Sequence, residues 1–201
     1  EFAQTVDAFR ASGGRGMNVT APFKLDAFAY ATDLAPSAQM AGAVNAMKFE
    51  DGKVYAENFD GVGLVRDVIH NLKHQLKNKR VLLLGAGGAA RGALLPFLAE
   101  SPAIFVIANR SLFKAQELKN IGEKNNAQQT NVTALSFSEL AGMQFDVIFN
   151  ATSASLRNEL PAIPATVFGS ESLAYELAYA KGLTPFLRLA QNAGVRHLAD
   201  G

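Results

Sequence analysis

The chain has 201 residues, 49% of them hydrophobic, enough for one large or two small units with sizeable cores. Nineteen Lys and Arg stand against eighteen Asp and Glu, a formal net charge of +1, and no stripe of basic residues offers a field for nucleic acid. The absence of Cys excludes disulfides, thiolate catalysis and thiolate metal sites. No apolar run is long enough to span a bilayer and no secretory signal opens the chain, so a cytoplasmic protein without a membrane partner is expected.

Residues 1–60 read as a small mixed segment. Helices are predicted at QTVDAFRA, PFKLDAFAYA and APSAQMAG, and strands at GMNVT, AVNAMKF and KVYAENF. Asp51-Gly52 between the last two strands is a hairpin turn, because Gly accepts positive φ. In GMNVTAPFK, Val19 and Thr20 favour extended chain and Pro22 disfavours helix at Ala21. Lys24 therefore falls in the first turn of the next helix, where the exposed N–H groups favour anions and a cation is electrostatically misplaced. From Gly61 to Leu76, Val62, Val65, Ile69, Leu72 and Leu76 recur at helical spacing and predict a linker helix.

From Arg80 onward strands and helices alternate: RVLLLG, AARGALLPFLAE, AIFVIANR, FKAQELKNIGEK, then strands at TALSF, FDVIFNAT and LAYELAY and the helix TPFLRLAQNAG. Near-continuous apolar strands separated by helices indicate an α/β fold, a doubly wound parallel sheet of Rossmann type. The expected division is a partial substrate-binding and catalytic domain at 1–60, then a linker helix and nucleotide-binding domain at 61–201. The closing HLADG carries no evident structural element, and the first residue is Glu, not Met, as expected of a fragment.

Gly85, Gly87 and Ala90 have the spacing G-x-G-x-x-A directly after a strand and at the mouth of a helix, the context a dinucleotide fingerprint requires. Gly85 permits the tight turn, Gly87 lets a pyrophosphate approach the backbone, and Ala90 allows helix to pack closely on strand. Gly85, Ala86, Gly87, Gly88 and Ala89 are the candidate pyrophosphate residues, facing an anion at the helix N-terminus. The end of the second strand reads IANRSLFK, without the carboxylate that an NAD site usually places there. Arg110 can instead fork onto a 2′-phosphate, Asn109 and Ser111 can hydrogen-bond it, and Lys114 adds charge, so NADP is the expected cofactor.

His70 and His74 are four apart on the predicted linker helix and superficially resemble a metal pair. HNLKH lacks the glutamate of a zinc-protease motif and no third ligand is apparent, so a solvated face and no metal are expected. No motif surrounds His197.

GMNVTAPFK, AGAVNAM, ENFDGVG, LLLGAGGAARGALLPFL, ANRS, FDVIFNATS and YAKGLTPFL occur in an order that resembles the shikimate dehydrogenase family over nearly the whole chain. The resemblance implies two α/β domains facing each other across a cleft. It also implies reversible reduction of 3-dehydroshikimate by NADPH, a step of aromatic amino-acid biosynthesis, by a monomer or homodimer acting on a small molecule. Relatives acting on quinate or using NAD share most of these motifs. By the resemblance Lys24 and Asp60 are the catalytic pair, and Thr20, Asn45 and Tyr179 face substrate, with Asn18 in support. Thr152, Ser153 and Leu177 belong to the cofactor site. The chemistry agrees: hydride delivery to a ketone creates alkoxide character, so a proton donor must stand near that oxygen, and the reverse reaction needs the same group as base.

Several positions depart from the family pattern. Phe59 and Ala46 stand where Thr is usual, Ser155 where Gly is usual, and Glu176-Leu177 where Asp-Met is usual. The family also has an earlier βαβ portion with a serine pair on the substrate carboxylate, and later helices with a substrate-contacting glutamine. Neither occurs in these residues, so a catalytically impaired nucleotide-binding fragment is the alternative expectation.

Overall fold

Two sheets joined through packed helices make up the structure, a computed structural model described over residues 1–20, 22–125, 130–178 and 182–201. The first sheet and its helices comprise α1 (Phe2–Ala11), β1 (Gly16–Asn18), α2 (Lys24–Tyr30), β2 (Asp33–Leu34), α3 (Pro36–Ala41), β3 (Ala46–Glu50) and β4 (Lys53–Glu57). Its strand order is β1-β3-β4-β2, antiparallel except for β2, which runs parallel to β4. The β3–β4 hairpin turns at Asp51 (φ 50°) and Gly52 (φ 76°), the two positive values a tight two-residue turn demands. Val6, Val19, Ala27, Ala38, Val44, Met47, Val54 and Ala56 form the core beneath this sheet.

Helix α4 (Asp60–Arg66) continues into a π-helical turn at Asp67–Asn71 and stops there. The linker helix predicted to Leu76 is therefore too long. Lys73 adopts φ 59°, and the His74 N–H donates to the Val68 carbonyl, which turns the chain away from the helix axis. Leu76 is fully buried all the same, reaching the core from irregular chain, whereas Val62 of the same predicted stripe is exposed. Apolar spacing reports burial, and burial does not require a helix.

The second sheet contains β5 (Arg80–Leu84), β6 (Ile104–Ala108), β7 (Asn131–Leu135), β8 (Phe145–Asn150), β9 (Phe168–Glu176) and β10 (His197–Asp200). They run in parallel in the order β10-β9-β8-β5-β6-β7. Helices α5 (Gly88–Ala99), α6 (Leu112–Lys124) and α7 (Pro185–Asn192) cover it. Read from β7, this is the 3-2-1-4-5-6 order of the doubly wound dinucleotide fold. Two apolar layers enclose it, one around Val81, Leu83, Phe97, Phe105 and Phe149, the other around Leu82, Leu84, Val106, Ile148 and Phe186. HLADG, expected to carry no element, supplies β10, whose residues pair in register with Leu173–Glu176. An edge strand needs only one partner and little apolar content, which is why composition hides it.

Candidate active site

Helix α4 docks on α5 through Gly61. A Cβ at Gly61 would fall on the Gly92 carbonyl, so only glycine allows this approach. The contact fixes Asp60, the first residue of α4, relative to the helix that follows the glycine turn. The position also favours a carboxylate, since it lies at the helix N-terminus.

Lys24, at the start of α2, reaches across to Asp60, and its Nζ lies 2.7 Å from Asp60 Oδ2. The Asn45 side-chain amide donates to Asp60 Oδ1 at 2.8 Å, while Asn45 Oδ1 accepts the Phe59 N–H at 3.0 Å. Backbone bonds hold the frame: the Val44 N–H donates to the Lys24 carbonyl and the Val19 N–H to the Asn45 carbonyl. The Lys24 and Asp60 side chains keep 31% and 48% of their exposure, so a ligand can reach both. Thr20 and Asn18 are exposed at the end of β1, beside this cluster in the chain. Tyr179 lies outside the described residues.

Asn58 was not among the expected site residues. It is buried, its amide donates to the Ala43 carbonyl, and its Oδ1 accepts the Asp60 N–H at 3.1 Å. An Asn two residues before an Asp at a helix start is a local Asx signal that ENFDG carries in plain view.

At the other half of the site, Gly85 adopts φ 103°, and a Cβ there would stand 2.9 Å from the Ala151 carbonyl oxygen. Space is open around the position a Gly87 Cβ would take, Gly87, Gly88 and Ala89 are exposed, and Ala86 and Ala90 are buried. No side chain caps α5, whose first N–H groups are left for an anion. These residues fit a dinucleotide pyrophosphate. At the end of β6, Arg110, Ser111 and Lys114 are exposed, and the Asn109 amide donates to the Ser111 carbonyl at 3.0 Å. Neither Arg110 nor Lys114 joins an ion pair among the described residues. Both cations are thus available to a 2′-phosphate.

Beyond β8, Thr152 Oγ1 donates to Asn150 Oδ1 at 2.7 Å, and Ser153 Oγ accepts from Arg157. The Arg157 bond, then the more distant Arg110 charge, holds the Glu159 carboxyl below its usual range. The Leu177 N–H donates to the Asn150 carbonyl, keeping Leu177 at the mouth of the sheet. Arg110, the glycine turn, Thr152 and Leu177 all lie at the C-terminal ends of the parallel strands, where doubly wound sheets bind ligands. His74 departs from the solvated face expected of it: its ring is half-buried, 4.7 Å from that of His197. Among the described residues no group of three or more His, Cys, Asp or Glu could hold a metal ion.

A glycine turn at the switch point of a 3-2-1-4-5-6 sheet, joined to a second sheet whose flanking helices carry an ammonium–carboxylate pair, defines a two-domain nucleotide-binding protein of the dehydrogenase type. Residues 1–47 match the shikimate dehydrogenase substrate binding domain, and residues 67–158 match the shikimate / quinate 5-dehydrogenase domain. The chain is 50% identical over 200 residues to shikimate dehydrogenase (NADP(+)) of Chromobacterium violaceum, spanning all of this chain and 72% of that relative. It superposes with a TM-score of 0.91 on the crystal structure of an Ael1 enzyme from Pseudomonas putida, at 55% identity, covering 100% of this chain and 72% of that one. A crystal structure of shikimate dehydrogenase in complex with NADP+ aligns with a TM-score of 0.79 at 28% identity, covering 99% of this chain and 69% of that one. The chain belongs to the shikimate dehydrogenase family.

Proposed function

We propose that this chain catalyses the reversible NADPH-dependent reduction of the 3-dehydroshikimate carbonyl to the hydroxyl of shikimate, a step of aromatic amino-acid biosynthesis. The observation that carries the reading is the 2.7 Å contact of Lys24 with Asp60, on the helix that packs against the cofactor helix of a family member. NADPH, when bound, supplies the hydride, which adds to the carbonyl carbon. The Lys24 ammonium gives a proton to the oxygen as charge develops there, the product leaves as the alcohol, and solvent restores the ammonium. Asp60 holds that ammonium in one direction, and Asn45 and Asn58 hold Asp60. Thr20, Asn45 and, by family resemblance, Tyr179 bind substrate hydroxyls.

On the cofactor side, Gly85, Ala86, Gly87, Gly88 and Ala89 cradle the pyrophosphate, and Asn109, Arg110, Ser111 and Lys114 receive the 2′-phosphate. Thr152, Ser153 and Leu177 frame the nicotinamide end. Residues 1–60 serve the substrate and 61–201 the cofactor, in a cytoplasmic enzyme working as a monomer or homodimer. Among the described residues no helix is long and apolar enough to cross a membrane. The test is steady-state turnover of shikimate and of quinate with NADP+ and with NAD+. Higher kcat/KM for shikimate with NADP+ is expected, and equal or greater efficiency with NAD+ or with quinate contradicts the reading.

A further inference from the structure

Glu176, the last residue of β9, has 0% relative exposure, and no cation pairs with it among the described residues. Burying a carboxyl group is costly unless its oxygens find donors. Glu176 finds them from four residues. Its cross-strand partner Asn150 donates to both oxygens, at 2.9 and 3.1 Å, and the Ala178 N–H donates to Oε1. Ser155 Oγ donates to Oε2 at 2.5 Å, and Thr184 Oγ1, the N-cap of α7, donates to the same oxygen at 3.0 Å. One carboxyl group thus ties the end of β8, the turn through Ser155, the chain leaving β9 and the start of α7.

Its place in the sheet gives this knot a consequence. The pyrophosphate residues follow β5 at the centre, and the 2′-phosphate residues follow β6 on one side. A dinucleotide bound across that edge would turn its nicotinamide half toward the other side, where the ends of β8 and β9 would receive it. Those ends carry Thr152, bonded to Asn150 Oδ1, and Leu177, bonded to the Asn150 carbonyl. Asn150 touches Glu176 and both of these residues, so a change at Glu176 reaches the nicotinamide frame directly.

We infer that Glu176, with Ser155 as its partner, is a positioning residue for the hydride-transferring end of the cofactor, holding the chain after β8 and the chain after β9 at a fixed separation. The inference rests on the dehydrogenase reading above. It assigns Glu176 no contact with substrate or cofactor; it acts through Asn150, Thr152 and Leu177.

The test uses Glu176→Gln and Ser155→Ala in the full chain, with three readouts: single-turnover hydride transfer, NADPH dissociation constant by fluorescence titration, and amide hydrogen exchange over residues 151–157. Misplacement of reacting groups by about 1 Å costs up to roughly a hundredfold in rate. Glu176→Gln is expected to slow hydride transfer by about tenfold or more while NADPH affinity stays within about threefold, because the phosphate contacts lie elsewhere. Ser155→Ala is expected to give a smaller loss in the same direction, and exchange over 151–157 in the NADPH complex to quicken in both variants. Glu176→Gln that melts earlier yet transfers hydride at the wild-type rate when folded overturns the inference, as does unchanged exchange. Failure of the wild-type chain to reduce 3-dehydroshikimate instead counts against the function, and the exchange readout still decides the positioning role.

Discussion

The Lys24 ammonium and the Asp60 carboxylate meet at 2.7 Å although 36 positions separate them, because α2 and α4 are fastened to the same Val44–Asn45 segment. Asn45 is the hinge of that arrangement, donating to Asp60 and accepting from Phe59. Replacing Asn45 with Ala leaves the Phe59 N–H without its partner and frees Asp60 to rotate. The expected result is a rise in substrate KM of about tenfold, a stability loss of about 1 kcal/mol and an unchanged NADPH dissociation constant. Steady-state kinetics, urea denaturation and cofactor titration measure the three.

Arg110 is exposed at the end of β6, with Asn109 bonded across the turn to Ser111. Losing a charge-assisted contact to a 2′-phosphate costs about 1.5–3 kcal/mol, roughly ten- to a hundredfold in affinity. Arg110→Ala is therefore expected to weaken NADP+ by that factor and leave NAD+ nearly unchanged. Titration of both nucleotides against one preparation gives the ratio, and equal weakening removes Arg110 from the 2′-phosphate site.

Gly61 carries the junction between the two halves of the molecule. A Cβ at that position meets the Gly92 carbonyl, so Gly61→Ala must separate α4 from α5. Overpacking of this kind costs about 1–3 kcal/mol. Because Asp60 is the adjacent residue, turnover is expected to fall together with the urea midpoint. Gly63→Ala, in the same helix but with open space at its Cβ, is expected to leave the midpoint unchanged or raise it.

These examples also mark what the sequence made legible. The glycine turn, the strand–helix alternation and the N-R-S segment are local signals, set by backbone conformation and strand apolarity within a few residues; the glycine turn and N-R-S stand where expected, while β7 and β9 begin earlier than TALSF and LAYELAY, at Asn131 and Phe168. The Lys24–Asp60 pair was legible only by family resemblance, since no local pattern brings α2 to α4. β2 has two residues and β10 is an edge strand, so neither displays a buried face long enough to read. In the sequence the Glu176 knot shows only as two separate departures, Ser155 and Glu176; that they touch follows from β8 pairing with β9, a tertiary fact.

Acid should act on the fold through His74. Burial, then the neighbouring His197 and Lys79, hold its pKa below the usual histidine value. The folded state therefore binds fewer protons than the unfolded chain once pH drops below about 6.5, the value of a free imidazole. Stability is expected to be intact above that pH, to decline as pH falls toward the depressed folded pKa, and to level off below it as far as this group is concerned. His74→Gln should flatten the decline between pH 7 and 5 in urea-denaturation midpoints, and an unaltered slope assigns the acid sensitivity to other groups.

The assignment of Lys24 is tested most directly by single-turnover reduction of 3-dehydroshikimate in Lys24→Ala, with NADPH bound at saturation. A positioned acid contributes roughly a hundredfold or more to the step it serves. The rate of hydride transfer is expected to fall by at least that factor, with NADPH affinity unchanged and substrate affinity reduced only moderately, since Thr20, Asn45 and Asp60 remain. Hydride transfer at the wild-type rate in Lys24→Ala would contradict the role of Lys24 as proton donor and leave GMNVTAPFK a binding motif.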